Sequence, residues 1–237
     1  MTASEARNEV RAEHGNHPVS GGPIVQLPSE FGEFVAQAWT DLVTGAEHLA
    51  ISSPLPPVDG KAPLVRLHSE CLTGDVFGSY RCDCGEQLAY ALEKINEEGG
   101  TLLYLRGHEG RGIGLANKIK AYALQEAGFD TVEANEQLGL PVDARRYNAA
   151  AQILAEMGLH DVRLLSNNPD KQNRLADAGV NVVEMVPTEV PSREQNIRYL
   201  QTKKDRMDHR LTLDSQAGEP AAALPSGAQT TFQHEQD

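Results

Sequence analysis

The chain has 237 residues, of which 40% are hydrophobic and 23% are charged, and this is enough for one sizeable or two small globular domains. Its formal net charge of −13 argues against a nucleic-acid-binding protein, because affinity for a phosphate backbone depends on clustered lysine and arginine side chains. The sequence shows neither the apolar core of a signal peptide nor a run of about 20 apolar residues that could span a membrane, so we expect a cytoplasmic protein without a membrane partner.

The first part of the chain is predicted to be rich in β-strands. Residues 1–21 are polar and lead into a glycine-glycine-proline break, so we expect a disordered leader there. Short apolar runs separated by turn residues then predict strands. The predicted strands cover residues 24–27, 34–39, 48–51 and 64–70.

The three cysteines of the chain, Cys71, Cys82 and Cys84, all fall in the segment HSECLTGDVFGSYRCDCG, at the end of the fourth predicted strand. Their odd number and the CxC pair favour a metal site in a reducing compartment over disulfide bonds. Three thiolates suit Zn²⁺, and the fourth ligand would be water, a substrate or a neighbour such as His68. A water molecule there would ionise at about pH 7, which favours a catalytic site. A closed structural Cys₃His site is the alternative, and the many polar residues of the segment argue against it.

A helix, a strand, a loop and a second helix are predicted after the cysteines. The first helix has one apolar face and ends near residue 99, and a continuous apolar strand follows over 101–105. The loop at 107–114 is rich in glycine, and the second helix covers about 115–128. This order places the glycine-rich loop at the end of a buried strand, where ligands often bind.

Two charged residues in this loop and one tyrosine after it are candidates for ligand contacts. Glu109 could accept hydrogen bonds from the edge of a guanine, and Arg111 could donate two hydrogen bonds to a phosphate. Without such a ligand the loop is an ordinary strand-to-helix turn. Tyr122 is either a core residue with a satisfied hydroxyl or a phenol beside a reacting base, and its spacing alone favours the core.

The rest of the chain alternates between strands and helices. The remaining predicted elements are a strand at 130–133, a helix from 143 to 157, a strand at 162–165, a helix at 169–179, a strand at 180–186 and an exposed basic helix at 202–207. Asp143 is expected to cap its helix and Arg145 to lie at the surface. The alternation predicts an α/β fold with α+β character, in which helices flank a mixed β-sheet with a β-rich N-terminal part. Residues 211–237 are expected to form a disordered tail.

The cysteine segment resembles the signature of a known family. HSECLTGD followed by SYRCDCG is similar to the zinc-binding signature of GTP cyclohydrolase II, the enzyme that opens riboflavin synthesis. The resemblance extends over residues 22–210, which we take as one catalytic domain. It implies one catalytic Zn²⁺ per subunit on Cys71, Cys82 and Cys84, Mg²⁺ on the GTP triphosphate, and a homodimer. No second domain of the dihydroxybutanone-phosphate synthase kind, to which this family is often fused, fits within the chain, so we expect the stand-alone form.

The resemblance also implies the residues that bind GTP and those that act on it. The implied GTP contacts are Arg66, Leu67, His68, Ser69, Glu70, Gln87, Glu109, Gly110, Arg111, Thr131, Ser166 and Lys171. Ser166 stands where the family has a threonine, but it retains the hydroxyl. Tyr122 is implied as an active-site phenol, Asp143 as a proton acceptor and Arg145 as a nucleophile toward the α-phosphate. Because an arginine side chain stays protonated, electrostatic stabilisation is a competing role for Arg145.

The implied reaction joins two hydrolyses of GTP. One opens the imidazole ring and releases formate, and the other releases pyrophosphate, which gives 2,5-diamino-6-hydroxy-4-(5-phosphoribosylamino)pyrimidine. One rival is a related cyclohydrolase that stops at the ring-opened formamido product. Another is a zinc-stabilised nucleotide-binding module with a regulatory role. The presence of Tyr122, Asp143 and Arg145 favours an enzyme, since a regulatory module would not need them.

Overall fold

The computed structural model describes residues 17–188 and 190–206, apart from the side chain of Arg198. The predicted tail at 211–237 and most of the predicted leader lie outside these ranges. The last residues of the predicted leader are not disordered, because strand β1 already begins at Val19, which pairs with Asp41 of the next strand. The leader therefore ends earlier than the sequence pattern predicts.

Seven strands form one mixed β-sheet, in the order β1-β2-β3-β5-β4-β6-β7. The strands are β1 Val19–Ser29, β2 Gly32–Asp41, β3 Glu47–Ser52, β4 Leu64–Ser69, β5 Gly100–Leu105, β6 Asp161–Leu165 and β7 Asn181–Val186. The first three strands and β5 pair in antiparallel fashion, whereas β5, β4, β6 and β7 are parallel to one another. The sheet confirms the predicted α/β class with a β-rich N-terminal part.

Six helices of two turns or more accompany the sheet in the described part of the chain. They are α1 Cys84–Glu98, α2 Leu115–Glu126, α3 Thr131–Gln137, α4 Asn148–Glu156, α5 Pro169–Asp177 and α6 Ile197–Arg206, and single turns occur at Val58–Gly60, Leu72–Asp75 and Glu109–Gly112. None of these helices combines the length and the apolar character that crossing a membrane requires.

Two predicted features of the segment between α2 and α4 are wrong. Residues 130–133 start helix α3 and do not form a strand, because Asp130 caps this helix through the backbone amides of Val132 and Glu133, and Glu133 bonds back to Asp130. Asp143 does not cap helix α4, which begins only at Asn148. Its carboxylate binds Arg145 instead.

The two faces of the sheet are covered by two separate apolar clusters. Val65 and Leu67 of β4 pack with helices α4 and α5, whereas Leu64 packs with helix α1. Because side chains alternate along a strand, Arg66 and His68 lie on the same face as Leu64, toward α1. The alternation within β4 therefore directs two polar side chains toward the helix that begins at Cys84, one of the three cysteines.

Candidate active site

The carboxyl ends of the parallel strands open into one pocket. In open α/β sheets this edge is where ligands bind, because the strand ends and the following loops leave a crevice there. Its walls come from the ends of β4, β5 and β6, from the cysteine segment and from helices α1, α2, α3 and α6. The pocket therefore collects residues that are more than a hundred positions apart in the sequence.

The three cysteine sulfur atoms meet at one side of this pocket. They all lie within 4.8 Å of one another, and the Sγ atoms of Cys71 and Cys82 are 3.7 Å apart. A tetrahedral Zn²⁺ with Zn–S bonds of about 2.3 Å requires sulfur atoms about 3.8 Å apart, so the arrangement fits this ion. No other histidine, cysteine or carboxylate of the described ranges joins the group, which leaves one coordination position without a protein ligand.

The chemistry of the thiols also favours a bound cation. Hydrogen bonds from Cys82 and Cys84, and the ammonium group of Lys118 at 3.0 Å, hold the pKa of the Cys71 thiol well below its usual value. The hydrogen bond to Cys71 raises the pKa of Cys82 to about 11. Hydrogen bonds with Cys71 and Cys82 raise the pKa of Cys84. One thiolate therefore suppresses ionisation of the other two, and a dication is what would allow all three to ionise.

His68 was a candidate for the fourth metal ligand, but its imidazole has another partner. Its Nε2 atom lies 3.0 Å from Asp75 Oδ1, and both side chains are buried. The same carboxylate accepts hydrogen bonds from the backbone amide of Cys71 at 2.9 Å and from the hydroxyl of Tyr104 at 2.8 Å. Asp75 thus ties His68 to the backbone of the first cysteine, and His68 supports the centre from outside the sulfur group.

Glycine at position 74 is required by the close packing of the cysteines. A Cβ atom there would lie 2.9 Å from Cys82 Sγ, 3.0 Å from Cys84 Cβ and 3.2 Å from Cys71 Sγ. Gly74 lies in the turn Leu72–Asp75 and is buried. Any larger residue would have to displace at least one sulfur atom.

A lysine and a tyrosine of helix α2 face the cysteine centre. Lys118 and Tyr122 are four residues apart and so lie on the same helix face. Lys118 Nζ also donates to Glu109 Oε1 at 2.6 Å, and the hydroxyl of Tyr122 lies 3.3 Å from Thr73 Oγ1. The guanidinium of Arg81, which directly precedes Cys82, lies 4.6 Å from the centre of the Tyr122 ring and attracts the face of this ring.

Arg111 presents an unpaired charge to the pocket. It has a backbone φ of +64°, which is rare for a residue other than glycine, within the turn Glu109–Gly112. Its Nη1 and Nη2 atoms are buried and have no hydrogen-bond partner among the residues that the structure describes. Buried donors of this kind are almost always satisfied, so the guanidinium is set to bind an acceptor on a ligand.

A second cationic group of the pocket is built around Arg145. Its guanidinium is paired with the carboxylate of Asp143, through Nε at 3.0 Å, and its Nη1 atom reaches Ser69 Oγ at 3.4 Å. Although burial alone would lower it, the pairing with Asp143 raises the pKa of Arg145. Arg145 is therefore a permanently charged residue of the pocket wall and not the surface residue that its spacing predicts.

His108 completes this group with a fixed tautomer. The backbone carbonyl of Arg146 can only accept, so the Nε2 atom of His108, 3.0 Å away, carries the hydrogen. The Nδ1 atom of His108 then accepts a hydrogen bond from the hydroxyl of Ser69 at 3.1 Å. Burial, with a contribution from Arg145, lowers the pKa of His108 to about 4, so the imidazole is neutral at neutral pH.

Most of the predicted site residues face the pocket. Those that line it are Arg66, His68, Ser69, Glu70, Cys71, Cys82, Cys84, Gln87, Glu109, Gly110, Arg111, Tyr122, Thr131, Arg145, Ser166 and Lys171. Two predicted residues do not line it. The side chain of Leu67 is in the core, and only its carbonyl takes part, by accepting a hydrogen bond from Lys171 Nζ at 2.9 Å. Asp143 lies beside the pocket and acts on it through Arg145.

Several further residues line the pocket. Lys118, a basic residue that could contribute to a polyphosphate pocket by its charge, is one of them. His108, Tyr199 and Lys203 also line the pocket, and no sequence signal selects them as site residues. Lys203 could not be found, because it belongs to a helix predicted to be exposed and its partner, Asp83, is distant in the sequence. The predicted helix exists as α6, but this lysine is buried.

Comparison with known proteins identifies what this chain is similar to. A protein-family model described as GTP cyclohydrolase II matches residues 23–187. The chain is 51% identical over 207 residues to the "Riboflavin biosynthesis protein RibBA" of Mycobacteroides abscessus, covering 86% of this chain and 49% of that protein. It is 50% identical over 208 residues to the protein of the same name from Mycobacterium marinum, again covering 86% and 49%. The chain thus spans about half the length of these relatives.

Similarity to solved structures is much weaker. The crystal structure of RibBX, described as a two-domain 3,4-dihydroxy-2-butanone 4-phosphate synthase from A. baumannii, matches with a TM-score of 0.42 and 18% identity. The match covers 77% of this chain and 44% of that chain. A similarity at this level supports no inference about the site.

Proposed function

Because this chain belongs to the GTP cyclohydrolase II family, we propose that it hydrolyses GTP to 2,5-diamino-6-hydroxy-4-(5-phosphoribosylamino)pyrimidine with release of formate and pyrophosphate. This would be the first committed step of riboflavin synthesis. The observation that carries the proposal is one pocket in which a three-thiol centre faces two arginine side chains. The thiols suit a metal that activates water, and the arginines suit a triphosphate.

The metal centre defines the end of the pocket where the base would bind. Cys71, Cys82 and Cys84 would hold a Zn²⁺ ion, which supplies a Lewis acid and an activated water molecule when it is bound. Tyr122 places its hydroxyl beside this centre and could donate to a nitrogen of the opening ring. Tyr122 stays protonated for this role, because burial raises the pKa of its phenol.

Glu109 is proposed to contact the edge of the guanine. Its Oε1 atom already accepts from Lys118 Nζ and from the backbone amide of Gly110, while Oε2 accepts from the backbone amide of Leu72. A carboxylate offers about four acceptor positions, so one position on Oε2 remains for a guanine N–H. The three existing bonds hold the carboxylate in one orientation, which suits recognition of a single base.

The cationic residues define the end of the pocket where the triphosphate would bind. Among the residues that the structure describes, the Nη1 and Nη2 atoms of Arg111 have no hydrogen-bond partner, and Arg145 and Lys171 line the same pocket. Burial and the neighbouring Arg66 and Arg145 lower the pKa of Lys171, so a bound triphosphate would favour its charged form. We propose that Arg145 stabilises charge that develops as pyrophosphate leaves, because its pKa is raised and a protonated guanidinium has no lone pair with which to attack. Asp143 orients Arg145 and accepts protons poorly, since its pairing with Arg145 lowers the pKa of the carboxyl.

The remaining parts of the proposal follow from the family resemblance. The catalytic domain spans residues 22–210, Mg²⁺ accompanies the triphosphate, and the enzyme is a cytoplasmic homodimer that acts on free GTP. Ser166, which keeps a hydroxyl, and the other predicted GTP contacts except Leu67 line the same pocket, Thr131 among them. Light scattering of the purified protein at several concentrations measures the oligomeric state.

Product analysis tests the proposed reaction. The purified chain, with its zinc content measured, is incubated with GTP and Mg²⁺, and the products are identified by mass spectrometry while formate and pyrophosphate are assayed. We expect formate, pyrophosphate and the diaminopyrimidine together. A product that retains the formyl group would assign the chain to a related cyclohydrolase, and tight GTP binding without turnover at full zinc occupancy would assign it to a regulatory role.

A further inference from the structure

Helix α6 brings a buried lysine to the pocket from outside the segment that matches the family. The family match ends at residue 187, whereas Lys203 is a residue of α6 that is only 9% exposed. Its Nζ atom donates to Asp83 Oδ1 at 2.7 Å, and the carboxylate of Asp83 is also buried. A buried ion pair that joins two parts of the chain 120 positions apart needs a physical role, because burying two charges is costly.

The ion pair is the first link of a chain of hydrogen bonds that ends at the predicted nucleotide contacts. Asp83 Oδ2 accepts from Gln87 Nε2 at 2.6 Å, and Gln87 Oε1 accepts from Arg66 Nη2 at 2.7 Å. Arg66 Nη1 donates to the carbonyl of Leu165 at 3.0 Å. Each donor and acceptor in this chain can be assigned, because a carboxylate only accepts and a guanidinium only donates.

This series of hydrogen bonds ends at Arg66, which has one more donor without a partner among the described residues. The Nε atom of Arg66 is buried and has no hydrogen bond to any residue in the described ranges, and Arg66 lines the pocket. The side-chain amide of Gln87 also faces the pocket, and its orientation follows from its two bonds to Asp83 and Arg66. Without its hydrogen bond to Asp83, the amide could turn over and place its own donors against Arg66.

We propose that Lys203 is a positioning residue of the nucleotide site: through Asp83 it fixes the amide of Gln87 and the guanidinium of Arg66 in the orientation that binds the substrate. The inference rests on the proposed function to the extent that the ligand is GTP. It adds that the site is incomplete without helix α6, although α6 lies beyond the segment that defines the family. Lys203 acts through its neighbours and does not itself touch the nucleotide.

Kinetics of matched variants test this role. Lys203→Met removes the charge while keeping most of the apolar stem, Lys203→Arg keeps the charge, and Lys204→Met is the control on the exposed side of the same helix. For Lys203→Met we expect KM for GTP to rise roughly tenfold to a hundredfold, the cost of one hydrogen bond to a charged group, with a small change in kcat. Lys203→Arg restores most of this loss, and Lys204→Met matches the wild type. Equal KM values for Lys203→Met and the wild type would overturn the proposal.

A second comparison remains decisive even where Lys203→Met fails to fold. If Lys203 acts only through Asp83, then the double variant Asp83→Asn with Lys203→Met has the same KM as Asp83→Asn alone. A further rise in the double variant would show a direct contact between Lys203 and the ligand and would refute a positioning role. The double variant removes both members of the ion pair, so it avoids the unpaired buried carboxylate that the single lysine variant leaves.

A measurement without substrate separates this proposal from the proposed function. The side-chain amide of Gln87 is followed by nuclear magnetic resonance in the zinc-loaded protein, with zinc content measured for each variant. In the wild type and in Lys204→Met, we expect the two side-chain amide protons of Gln87 to exchange slowly with solvent. In Lys203→Met, we expect them to exchange fast with solvent and to show chemical shifts averaged over several orientations of the amide. Unchanged signals in Lys203→Met would refute the positioning role whether or not the wild type converts GTP, whereas absent turnover with the expected signals would refute only the proposed function.

Discussion

Replacing Gly74 with alanine should weaken the metal centre through steric overlap alone. The new Cβ atom would lie 2.9 Å from Cys82 Sγ and 3.2 Å from Cys71 Sγ, so the sulfur atoms would have to move apart. The turn cannot relieve the overlap by moving toward helix α1, because a Cβ atom at Gly85 would already lie 2.5 Å from the carbonyl oxygen of Gly74. Overpacking of a buried site costs about 1–3 kcal/mol, which corresponds to a zinc dissociation constant raised roughly tenfold to a hundredfold.

Competition with a coloured chelator measures this change in zinc affinity. Gly22→Ala is the control, since a Cβ atom there would approach no closer than 3.4 Å, to the carbonyl oxygen of Ala38. We expect Gly22→Ala to bind zinc like the wild type and Gly74→Ala to release it to a weaker chelator. The reasoning is wrong if Gly74→Ala keeps the affinity of the wild type, because the sulfur atoms would then tolerate the displacement that their separations exclude.

Three further substitutions probe the two ends of the pocket. Cys84→Ser should lower zinc content and abolish formate release, which metal analysis and a formate assay measure together; full activity without bound metal would contradict the metal role. Arg145→Ala should slow pyrophosphate release on the order of a hundredfold or more, and an unchanged rate would remove Arg145 from the catalytic group. The pKa of His108 is about 4 in the folded chain and about 6.5 in the unfolded chain. The contribution of neutral His108 to the free energy of unfolding is therefore fully present above pH 6.5, and the free energy falls by roughly 3 kcal/mol as the pH is lowered toward 4. In urea titrations His108→Gln should lose this part of the pH dependence, and an identical pH profile would contradict the assignment.

Local signals in the sequence predicted most of the sheet and the cysteine centre. Strands β4 and β5 are short apolar runs, and the close spacing of the three cysteines predicts the group of sulfur atoms that could hold a metal. The error at residues 130–133 arose because β-branched residues there suggested a strand, while the Asp130 and Glu133 pair, which forms a capping box, was the stronger signal. Better weighting of caps against propensity would have corrected it.

Long-range pairs within the site could not be predicted in the same way. Asp143 fits a helix cap by type, but the helix starts five residues later and the carboxylate is taken by Arg145. The pairing of Lys203 with Asp83 depends on how helix α6 returns to the sheet, which no local pattern encodes. Side-chain partners of this kind follow from tertiary packing, and only the structure reveals them.

The distribution of the pocket residues along the chain gives them an order of appearance during synthesis. The thiols lie within residues 71–84, next to strand β4, whereas Arg145, Lys171 and Lys203 emerge from the ribosome much later. Strand β4 pairs with β5 and with β6, so the part of the sheet that carries the thiols is completed only after residue 165 has been synthesised. A nascent chain that ends before α6 therefore contains every strand of the sheet and all three thiols, but it lacks the lysine that pairs with Asp83.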